Sequence, residues 1–412
     1  MPGDSASPAS LDDHDRTADL VVVGDGVLGL SIALACRDRA PDARILLVGP
    51  TGRPGGASPA AAAMLTAFAE VEPNTLIDPG RRAKFELAHR SVPRWPAWIA
   101  AHAARAGLPA PTITPGTVVT ATDPAIDGPV LAAITAAAAA FDVDIETLEL
   151  RDIPGLRPRR TPPEAPAIRI PDEGAIDPVA VLRVLDGAAA VAGIGRIPRA
   201  ATRLAERTVS LDTGVTVSAR RIVVAAGARS STLLDTHPDL GERLPRIRFG
   251  TGVGIRAVVD AAVELPREVV RTPNRRDGHG VYFAPHGDGR FYVGATCDVA
   301  DKPVETPRID ALRRILDAAM DDLSQDLGRA TCHPVLGHRP TTDDGLPLLG
   351  RATESIWIAS GTHRDGLVSA PEIADRMAAA MLGDEFDCGN DGDGFDAALH
   401  PWRLAGAKRH RP

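Results

Sequence analysis

The stretch "VVVGDGVLGL" constrains the fold of this chain more than any other segment. It places Gly24, Gly26 and Gly29 in the spacing Gly-x-Gly-x-x-Gly, after a run of apolar β-formers and at the start of a helical pattern that Pro41 ends. In a strand–turn–helix unit of this kind, the first glycine permits the tight turn and the second lets the backbone approach a pyrophosphate. The third lets helix and strand pack closely. The apolar run "RILLV" supplies the next strand, so the sequence predicts a dinucleotide-binding βαβ unit.

Two positions in this unit depart from the usual nucleotide-binding pattern. Asp25 places an acid inside the phosphate loop, where a carboxylate near a pyrophosphate costs free energy unless it points away. Gly49, about 20 residues beyond the fingerprint, stands where an acidic residue normally holds a ribose. The nearby Arg53 could instead bind the 2′-phosphate of NADP. From these residues alone, NADP and a dinucleotide whose ribose is held differently both remain open.

Composition and charge exclude several classes of protein. The 412 residues are enough for two domains, or for one domain with an inserted lobe. A formal net charge of −8, with arginines interspersed among acids, argues against a nucleic-acid surface. No window approaches 18 uninterrupted apolar residues, so we expect no transmembrane helix. Residues 1–16 are polar and acidic, lack the features of a secretory signal, and are expected to form a disordered leader.

The cysteines indicate a reducing compartment. They show no Cys-x-x-Cys spacing, which argues against a disulfide framework and against a zinc site, and no other metal site is predicted. We therefore expect reduced thiols in a cytoplasmic protein. The four cysteines are Cys36, Cys297, Cys332 and Cys388.

Strand and helix signals alternate near both ends of the chain, whereas much of the middle is rich in strands and turns. This order predicts an α/β protein with an α+β lobe. A discontinuous Rossmann-like domain binds the dinucleotide and carries an inserted antiparallel-sheet domain for the substrate. The predicted dinucleotide-binding domain comprises residues 17–80, 174–244 and 335–384. The predicted substrate domain comprises residues 81–173 and 245–334, and a C-terminal tail comprises residues 385–412.

Further segments follow the fingerprint in a fixed order: "GASPAAAAML", "VYFAPHGDGRFYVGAT", "GHRPTTDDGLPLLG" and "SGTHRDGLVSAP". Together with the fingerprint they resemble the D-amino-acid-oxidase superfamily of FAD-dependent amine oxidoreductases. Within it they are most similar to the glycine oxidases, including the thiamine-pathway members. The resemblance runs from about residue 18 to 383. It implies that the nucleotide is FAD, because an NADP reductase needs none of the C-terminal segments, and that the Rossmann-like domain is an FAD-binding domain.

The resemblance also implies which residues surround FAD. Small side chains let the alanine-rich loop pass close to the flavin, and the glycines of "SGTHRDGL" let backbone amides approach the pyrimidine side of its ring. Because the ribose acid is missing at Gly49, we expect Gly49→Glu to be tolerated or to tighten FAD binding. The predicted FAD-binding residues are Gly24, Gly26, Val27, Leu28, Gly29, Arg53, Ala57, Ser58, Ala61, Ala62, Ala63, Met64, Ala226, Gly227, Arg339, Gly361, Arg364, Asp365, Gly366 and Leu367.

The same resemblance implies the residues that hold the substrate. Arg339 matches the arginine that binds the substrate carboxylate in the family, a task suited to a bidentate guanidinium. Tyr282 matches the tyrosine that helps to hold this carboxylate, and Arg364 matches an arginine close to the substrate. Structural roles remain open for each. Arg339 could form an ion pair at a domain boundary, Tyr282 could be a core residue, and Arg364 could pair with Asp365 or Asp344.

Positions near the expected flavin ring differ from the family pattern. His363 is the one histidine near the expected ring, and the order of the residues around it differs from that in the family. We count His363 among the catalytic candidates with Tyr282, Arg339 and Arg364. Because hydride transfer from a neutral amine needs no protein base, we expect His363 to line the pocket. His286 replaces an arginine, and Asp365 replaces an asparagine. Both changes are expected on the active-site wall, so the substrate need not be glycine.

The predicted reaction is the FAD-dependent oxidation of a small amino acid or an N-substituted glycine-type amine. The α-hydride passes to flavin N5, the imine hydrolyses to a 2-oxo acid, and oxygen is reduced to hydrogen peroxide. Two alternatives stay open: a dehydrogenase that passes electrons to a quinone or a carrier protein, and a flavin-binding subunit without catalysis of its own. The expected partners are a small amine or amino acid and oxygen, without nucleic acid or a membrane span, and a homo-oligomer is left open.

Overall fold

The structure, a computed structural model, describes residues 16–260, 262–274, 280–382 and 395–404. Most of the predicted leader, Cys388 and the greater part of the predicted tail lie outside the described residues. The described chain forms two large β-sheets with helices packed against them.

The longest strands, β11 and β16 with 12 residues each, belong to the second sheet. In chain order they are β1 Thr17–Val23, β2 Ile45–Val48, β3 Met64–Leu65, β4 Ile113–Thr120, β5 Glu146–Glu149, β6 Pro166–Ile176, β7 Gly195–Ile197, β8 Ala201–Ala205, β9 Thr208–Leu211, β10 Thr216–Val224, β11 Ile247–Val258, β12 Val269–Arg271, β13 Tyr282–Pro285, β14 Arg290–Gly294, β15 Asp298–Ala300, β16 Thr331–Thr342, β17 Leu348–Arg351 and β18 Ile356–Ser360. The helices are α1 Val27–Arg39, α2 Pro79–Ser91, α3 Trp95–Ala106, α4 Pro124–Ala140, α5 Pro178–Val191, α6 Ser230–Leu234, α7 Ile309–Asp322 and α8 Ala370–Leu382.

The first sheet is the nucleotide-binding type that the fingerprint predicts. Its order is β17-β18-β10-β1-β2-β7, with parallel pairing from β18 to β7 and an antiparallel β17 at the edge. In the register of β1 with its neighbours, Val23 lies opposite both Val48 and Val224. The three central strands therefore end side by side, which brings the turns that follow them to one edge of the sheet.

Both faces of this sheet are covered, which explains its continuous apolar strands. Successive residues of β1 and β2 point to opposite faces. Val22 and Leu47 pack with α1, α3, α5 and α8 on one face. On the other face, Val23 and Leu46 pack with α6 and the β8–β9 hairpin. The fingerprint turn thus follows the buried end of β1.

The second sheet is mainly antiparallel and carries the lobe. β11 pairs with β16 along its whole length, from Ile247 opposite Thr342 to Val258 opposite Thr331. Along this sheet the strands follow the order β15-β11-β14-β13-β12-β4-β6-β3, with one parallel pair between β12 and β4. The predicted α/β class with an antiparallel lobe is confirmed. The domain boundaries stay a prediction, and two strands, β6 and β16, run across them.

Candidate active site

A cavity of about 680 Å³ lies at the carboxyl ends of β1, β2 and β10 and extends to β13, β14 and β16. This is the edge at which open α/β sheets bind nucleotides. All the predicted FAD-binding residues except Gly29 and Gly361 line the cavity. The catalytic candidates also line it: Tyr282, Arg339, His363 and Arg364. The structure therefore brings together segments that are distant in the sequence.

Gly29 and Gly361 lie behind this wall. A Cβ atom on Gly29 would lie 1.8 Å from Gly24 O, so the third glycine lets α1 pack against the fingerprint turn. Gly361 has a φ of +74°, and a Cβ atom there would lie 3.0 Å from Thr342 Cγ2. Both glycines allow close packing of the backbone beside the cavity. A sequence motif does not distinguish this role from direct contact with the cofactor.

The fingerprint turn presents backbone to the cavity. Gly24 has a φ of +114°, and a Cβ atom there would lie 2.2 Å from Ala225 O. A Cβ atom on Gly26 would lie 3.1 Å from Ser58 Oγ, which accepts a hydrogen bond from Val27 N–H at 3.1 Å. No acidic residue stands in the first turn of α1. A helix N-terminus without an acidic residue in its first turn suits a pyrophosphate.

The alanine-rich loop, residues 57–64, crosses the wall with small side chains. A Cβ atom on Gly337 of β16 would lie 2.6 Å from Ala60 Cβ, so glycine at this position lets the loop pack closely on the strand. His286 lies behind the loop, where its Nε2 is 2.8 Å from Ala62 O. The expectation that His286 forms part of the active-site wall is therefore wrong, because this contact turns the ring towards the loop backbone and outside the cavity lining.

Asp25 occupies the space that the missing ribose acid would need. A Cβ atom on Gly49 would lie 2.5 Å from Asp25 Oδ1, so a side chain at position 49 requires this carboxylate to move. This crowding argues against the expectation that Gly49→Glu is tolerated, which stays a prediction. Asp25 forms an ion pair with Arg196, and its Oδ2 lies 3.6 Å from Arg53 Nε. Arg53 also pairs with Asp186 at 2.5 Å, so its guanidinium is engaged within the protein.

Arg339 on β16 carries its guanidinium to the part of the cavity wall near Tyr282 and Cys297. Its Nη1 donates to Thr296 O at 2.6 Å. Burial lowers the pKa of Arg339, but the neighbouring Tyr282 and Cys297 raise it more, so the net shift is upwards. In the part of the chain that the structure describes, no carboxylate pairs with this guanidinium. The structural ion pair considered for Arg339 therefore does not form, and a permanent cation faces the cavity.

Tyr282 and Tyr292, the two tyrosines of the chain, lie next to each other on β13 and β14. Their rings are nearly parallel, with centroids 6.0 Å apart. Tyr292 is buried, and a Cβ atom on Gly254 would lie 1.8 Å from its hydroxyl oxygen. Burial raises the pKa of Tyr292, which keeps this hydroxyl protonated. Tyr282 is only half-buried and lines the cavity, so it is not a closed core residue.

Arg364 is held by a polar cluster that the sequence did not reveal. Its Nη1 lies 3.3 Å from Glu70 Oε2 and donates to Asn274 Oδ1 at 2.9 Å. The buried Arg271 forms a second ion pair with Glu70. Burial raises the pKa of Glu70, but the two arginines lower it more, so the carboxylate stays ionised between them. Glu70 and Asn274 also line the cavity.

The partners expected for Arg364 are engaged elsewhere. Asp365 Oδ2 lies 3.1 Å from Lys84 Nζ, and Asp344 pairs with Arg403 at 2.8 Å. Asp365 is adjacent to Arg364 in the sequence and Asp344 belongs to the preceding recognised segment, whereas Glu70 reaches Arg364 only through the fold. The ion pair left open as a structural alternative for Arg364 is present, but with Glu70 in place of Asp365 or Asp344.

A buried carboxylate fixes the segment that carries Glu70. Glu173 is 4% exposed and accepts hydrogen bonds from the backbone N–H groups of Ala67 at 2.6 Å and Phe68 at 2.5 Å. A third backbone donor, Ala69, lies 3.3 Å from its other oxygen. Burial raises the pKa of Glu173 to about 7, and the negative charge of Glu70 adds to the rise.

His363 and Cys297 meet on the wall of the cavity. His363 Nε2 lies 3.3 Å from Cys297 Sγ, and its backbone N–H donates to Pro340 O at 2.8 Å. Burial lowers the pKa of His363 well below the ordinary value, and Arg364 and Lys84 lower it further. The imidazole is therefore neutral at pH 7, and the thiol is its nearest polar neighbour on the wall.

Sequence reasoning missed several residues of this wall. Glu70 and Cys297 each follow a recognised segment, the alanine-rich loop and "GAT", by a few residues, so extending those motifs would have found them. Asn274 carries no local signal, and neither does Arg196, which pairs with Asp25 but does not line the cavity. Among the described residues, no group of three or more His, Cys, Asp or Glu side chains could hold a metal ion. No helix in the described ranges is long and apolar enough to cross a membrane.

The site agrees with a match to a known family, in which residues 19–380 fit the model described as FAD dependent oxidoreductase. The chain belongs to this family. FAD is therefore its cofactor, and the chain is an oxidoreductase. The cavity is consistent with this cofactor, because a glycine turn and a helix N-terminus suit the pyrophosphate at one end while small side chains leave room for a ring system at the other.

Glycine oxidases are among the similar proteins. The enzyme of Pseudomonas putida is 29% identical over 171 residues, which cover 41% of this chain and 43% of that enzyme. The match thus spans less than half the length of this relative. The enzyme of Geobacillus kaustophilus is 26% identical over 377 residues, covering 86% of this chain and 90% of that enzyme.

Solved structures show the same fold. The crystal structure of glycine oxidase from Geobacillus kaustophilus has a TM-score of 0.79 at 23% identity, covering 94% of this chain and 99% of that chain. Iminodiacetate oxidase from a Chelativorans species has a TM-score of 0.71 at 20% identity, covering 89% of this chain and 96% of that chain. At these identities the likeness establishes the architecture, and the substrate has to be argued from the site.

Proposed function

We propose that this chain oxidises a small amino acid or an N-substituted glycine-type amine, with oxygen as the electron acceptor. The observation that carries the proposal is the guanidinium of Arg339, which faces the cavity beside Tyr282 without a carboxylate partner in the described chain. The planar fork of an arginine suits the carboxylate of an amino acid. The similar proteins named above, glycine oxidases and iminodiacetate oxidase, belong to the same substrate class.

Arg339 and Tyr282 position the substrate in this proposal. The hydrogen bond from Arg339 Nη1 to Thr296 O fixes one edge of the guanidinium, so the substrate carboxylate meets a cation of defined orientation. The hydroxyl of Tyr282 is the second donor to this carboxylate. Fixing the carboxylate at two points orients the α-carbon, and such positioning is a large part of what an enzyme contributes to a reaction between two bound groups.

His363 adds no positive charge beside the substrate amine in this proposal. Burial and the charges of Arg364 and Lys84 hold the pKa of His363 well below its ordinary value, so its ring is neutral at neutral pH. Because such a ring is a weak base, the ammonium group of the amino acid releases its proton to water before the α-carbon is oxidised.

FAD, when bound, supplies the acceptor for the hydride of the α-carbon. The residues that hold it are the fingerprint backbone, the alanine-rich loop 57–64 and the segment 362–367. The chain itself contributes position and electrostatics. The imine product hydrolyses in water to a 2-oxo acid and an amine or ammonia.

Anaerobic mixing tests the proposal. The purified yellow protein is mixed without oxygen with glycine, D-amino acids, L-amino acids and N-substituted glycines, and the flavin absorbance near about 450 nm is followed. We expect at least one of these amines to bleach the flavin. If none of them does, the proposal fails, and a flavin-binding subunit without catalysis becomes the better interpretation.

A second measurement identifies the electron acceptor. Hydrogen peroxide is measured in air with the reactive amine, in the presence and absence of an artificial acceptor. Peroxide formed in equal amount to the oxidised amine supports the use of oxygen. Turnover that requires the artificial acceptor would show a dehydrogenase.

A further inference from the structure

The second strand of a dinucleotide-binding unit usually ends in an acidic residue, but β2 does not. A carboxylate reaches the end of β2 from a different element. Asp25 lies in the fingerprint turn after β1. A Cβ atom built on Gly49 would lie 2.5 Å from Asp25 Oδ1 and 2.6 Å from its Cγ. The carboxyl group of Asp25 thus fills the space in which a side chain at position 49 would begin. Asp25, Gly49 and Pro50 all line the cavity.

Two arginines hold this carboxyl group in place. Arg196, at the centre of β7, forms an ion pair with Asp25 Oδ2. Arg53 donates from Nε to the backbone oxygen of Asp25 at 2.7 Å, and its Nε lies 3.6 Å from the same Oδ2. Asp186 on α5 binds both arginines, Arg53 at 2.5 Å and Arg196 at 2.7 Å. The arginines therefore contact one oxygen of Asp25, and the other oxygen lies over Gly49.

We propose that Asp25 Oδ1 accepts a hydrogen bond from the adenosine ribose of FAD and replaces the missing acid of β2. Arg196, Arg53 and Asp186 are positioning residues that hold the carboxylate at the end of β2. A ribose hydroxyl that donates to a carboxylate forms a charge-assisted hydrogen bond, which is stronger than one between neutral groups.

The cluster also explains why an acid is tolerated in a phosphate-binding turn. The two carboxylates of Asp25 and Asp186 are balanced by the two guanidinium groups of Arg53 and Arg196, all within ion-pair distance. The negative charge of Asp25 is therefore compensated before a pyrophosphate approaches. A 2′-phosphate, in contrast, would meet the carboxylate directly, so the same arrangement disfavours a phosphorylated ribose.

Displacement of FAD from the holoenzyme tests this assignment without measuring catalysis. ADP, 2′-deoxy-ADP and 3′-deoxy-ADP are titrated against the full-length flavoprotein, and released FAD is followed by its fluorescence. We expect the wild-type protein to bind ADP about tenfold more tightly than at least one deoxy analogue. The analogue without the donating hydroxyl loses its hydrogen bond to the charged carboxylate of Asp25. In Asp25→Asn this preference should fall to less than about twofold.

Asp38→Asn is the control, because it removes a carboxylate on α1 from an exposed ion pair with Arg105 and Asp38 does not line the cavity. We expect this variant to retain the preference for ADP. A wild-type protein without any preference, or an Asp25→Asn variant that keeps the full preference, would overturn the assignment.

A double variant tests the assignment independently of how well Asp25→Asn folds. Asp25→Gly combined with Gly49→Glu moves the acid back to the end of β2, and it should restore the preference for ADP. Gly49→Glu alone should release FAD, because its side chain collides with Asp25. A single Gly49→Glu variant that binds FAD as tightly as the wild-type protein would contradict the proposed geometry.

Discussion

Cys297 Sγ lies 3.3 Å from His363 Nε2, and both side chains line the substrate end of the cavity. Cys297 is partly exposed and also lies next to the guanidinium of Arg339. Cys36, in contrast, is buried, and burial raises its pKa to about 12. We therefore expect alkylation of Cys297 to inactivate the enzyme, since the modified side chain occupies the space of the substrate.

Iodoacetamide and mass spectrometry test this expectation. Loss of activity should follow labelling of Cys297, and a competing carboxylate ligand at ten times its Kd should slow the loss about tenfold. Cys297→Ser should be active and resistant to the reagent. Cys332 is exposed and provides the control, because Cys332→Ser should remain as sensitive as the wild-type protein. Protection by Cys332→Ser instead would contradict the assignment.

Replacing Arg339 should impair substrate binding but leave FAD in place. The guanidinium contacts Thr296 O and no carboxylate of the described chain, so Arg339→Ala removes a free cation from the substrate end of the cavity. Loss of hydrogen bonds to a charged group predicts a fall in kcat/KM of about 10-fold to 100-fold or more. Steady-state kinetics with the best amine, together with the flavin content of the purified variant, provides the measurement.

Arg339→Lys is the matched variant, because it keeps the charge and loses the planar fork. Its kcat/KM should lie between those of Arg339→Ala and the wild-type enzyme. A variant protein purified without flavin would show that Arg339 supports the cofactor and that the carboxylate clamp lies elsewhere.

The sequence predicts those parts of the molecule whose conformation depends on residues that are neighbours along the chain. The turn around Gly24 and the buried strand before it are specified by neighbouring residues, and so is the alanine-rich loop. The partners of charged side chains are different, because they depend on which elements the fold brings together. Arg364 lies next to Asp365 in the sequence but pairs with Glu70, which comes from a distant segment. The carboxyl group of Asp25 likewise reaches the end of β2 only because β1 and β2 stop at the same level.

Glu70 should be important for stability, because it compensates two arginines. Arg271 is 2% exposed, and Glu70→Gln would leave its charge buried without a carboxylate. Removing one partner of a buried ion pair costs on the order of 3–5 kcal/mol. Glu354→Gln is the control, since Glu354 pairs with Arg207 on the surface and an exposed pair contributes about 1 kcal/mol or less. Urea unfolding of both variants gives the comparison, and equal losses would contradict the structural role of Glu70.

Glu173 should make the stability of the protein depend on pH near neutrality. Burial raises its pKa from 4.5 to about 7 in the folded protein, and the charge of Glu70 contributes to this rise. Between these two values the folded chain binds a proton that the unfolded chain has released, so the free energy of unfolding decreases as the pH rises through this window. A shift of this size corresponds to at most about 3 kcal/mol. Glu173→Gln cannot titrate but still offers an acceptor to the backbone N–H groups of Ala67 and Phe68. Urea unfolding at pH 5 and pH 8 should therefore show a larger loss of stability in the wild-type protein than in this variant, whereas parallel changes in the two proteins would place the titration on another group.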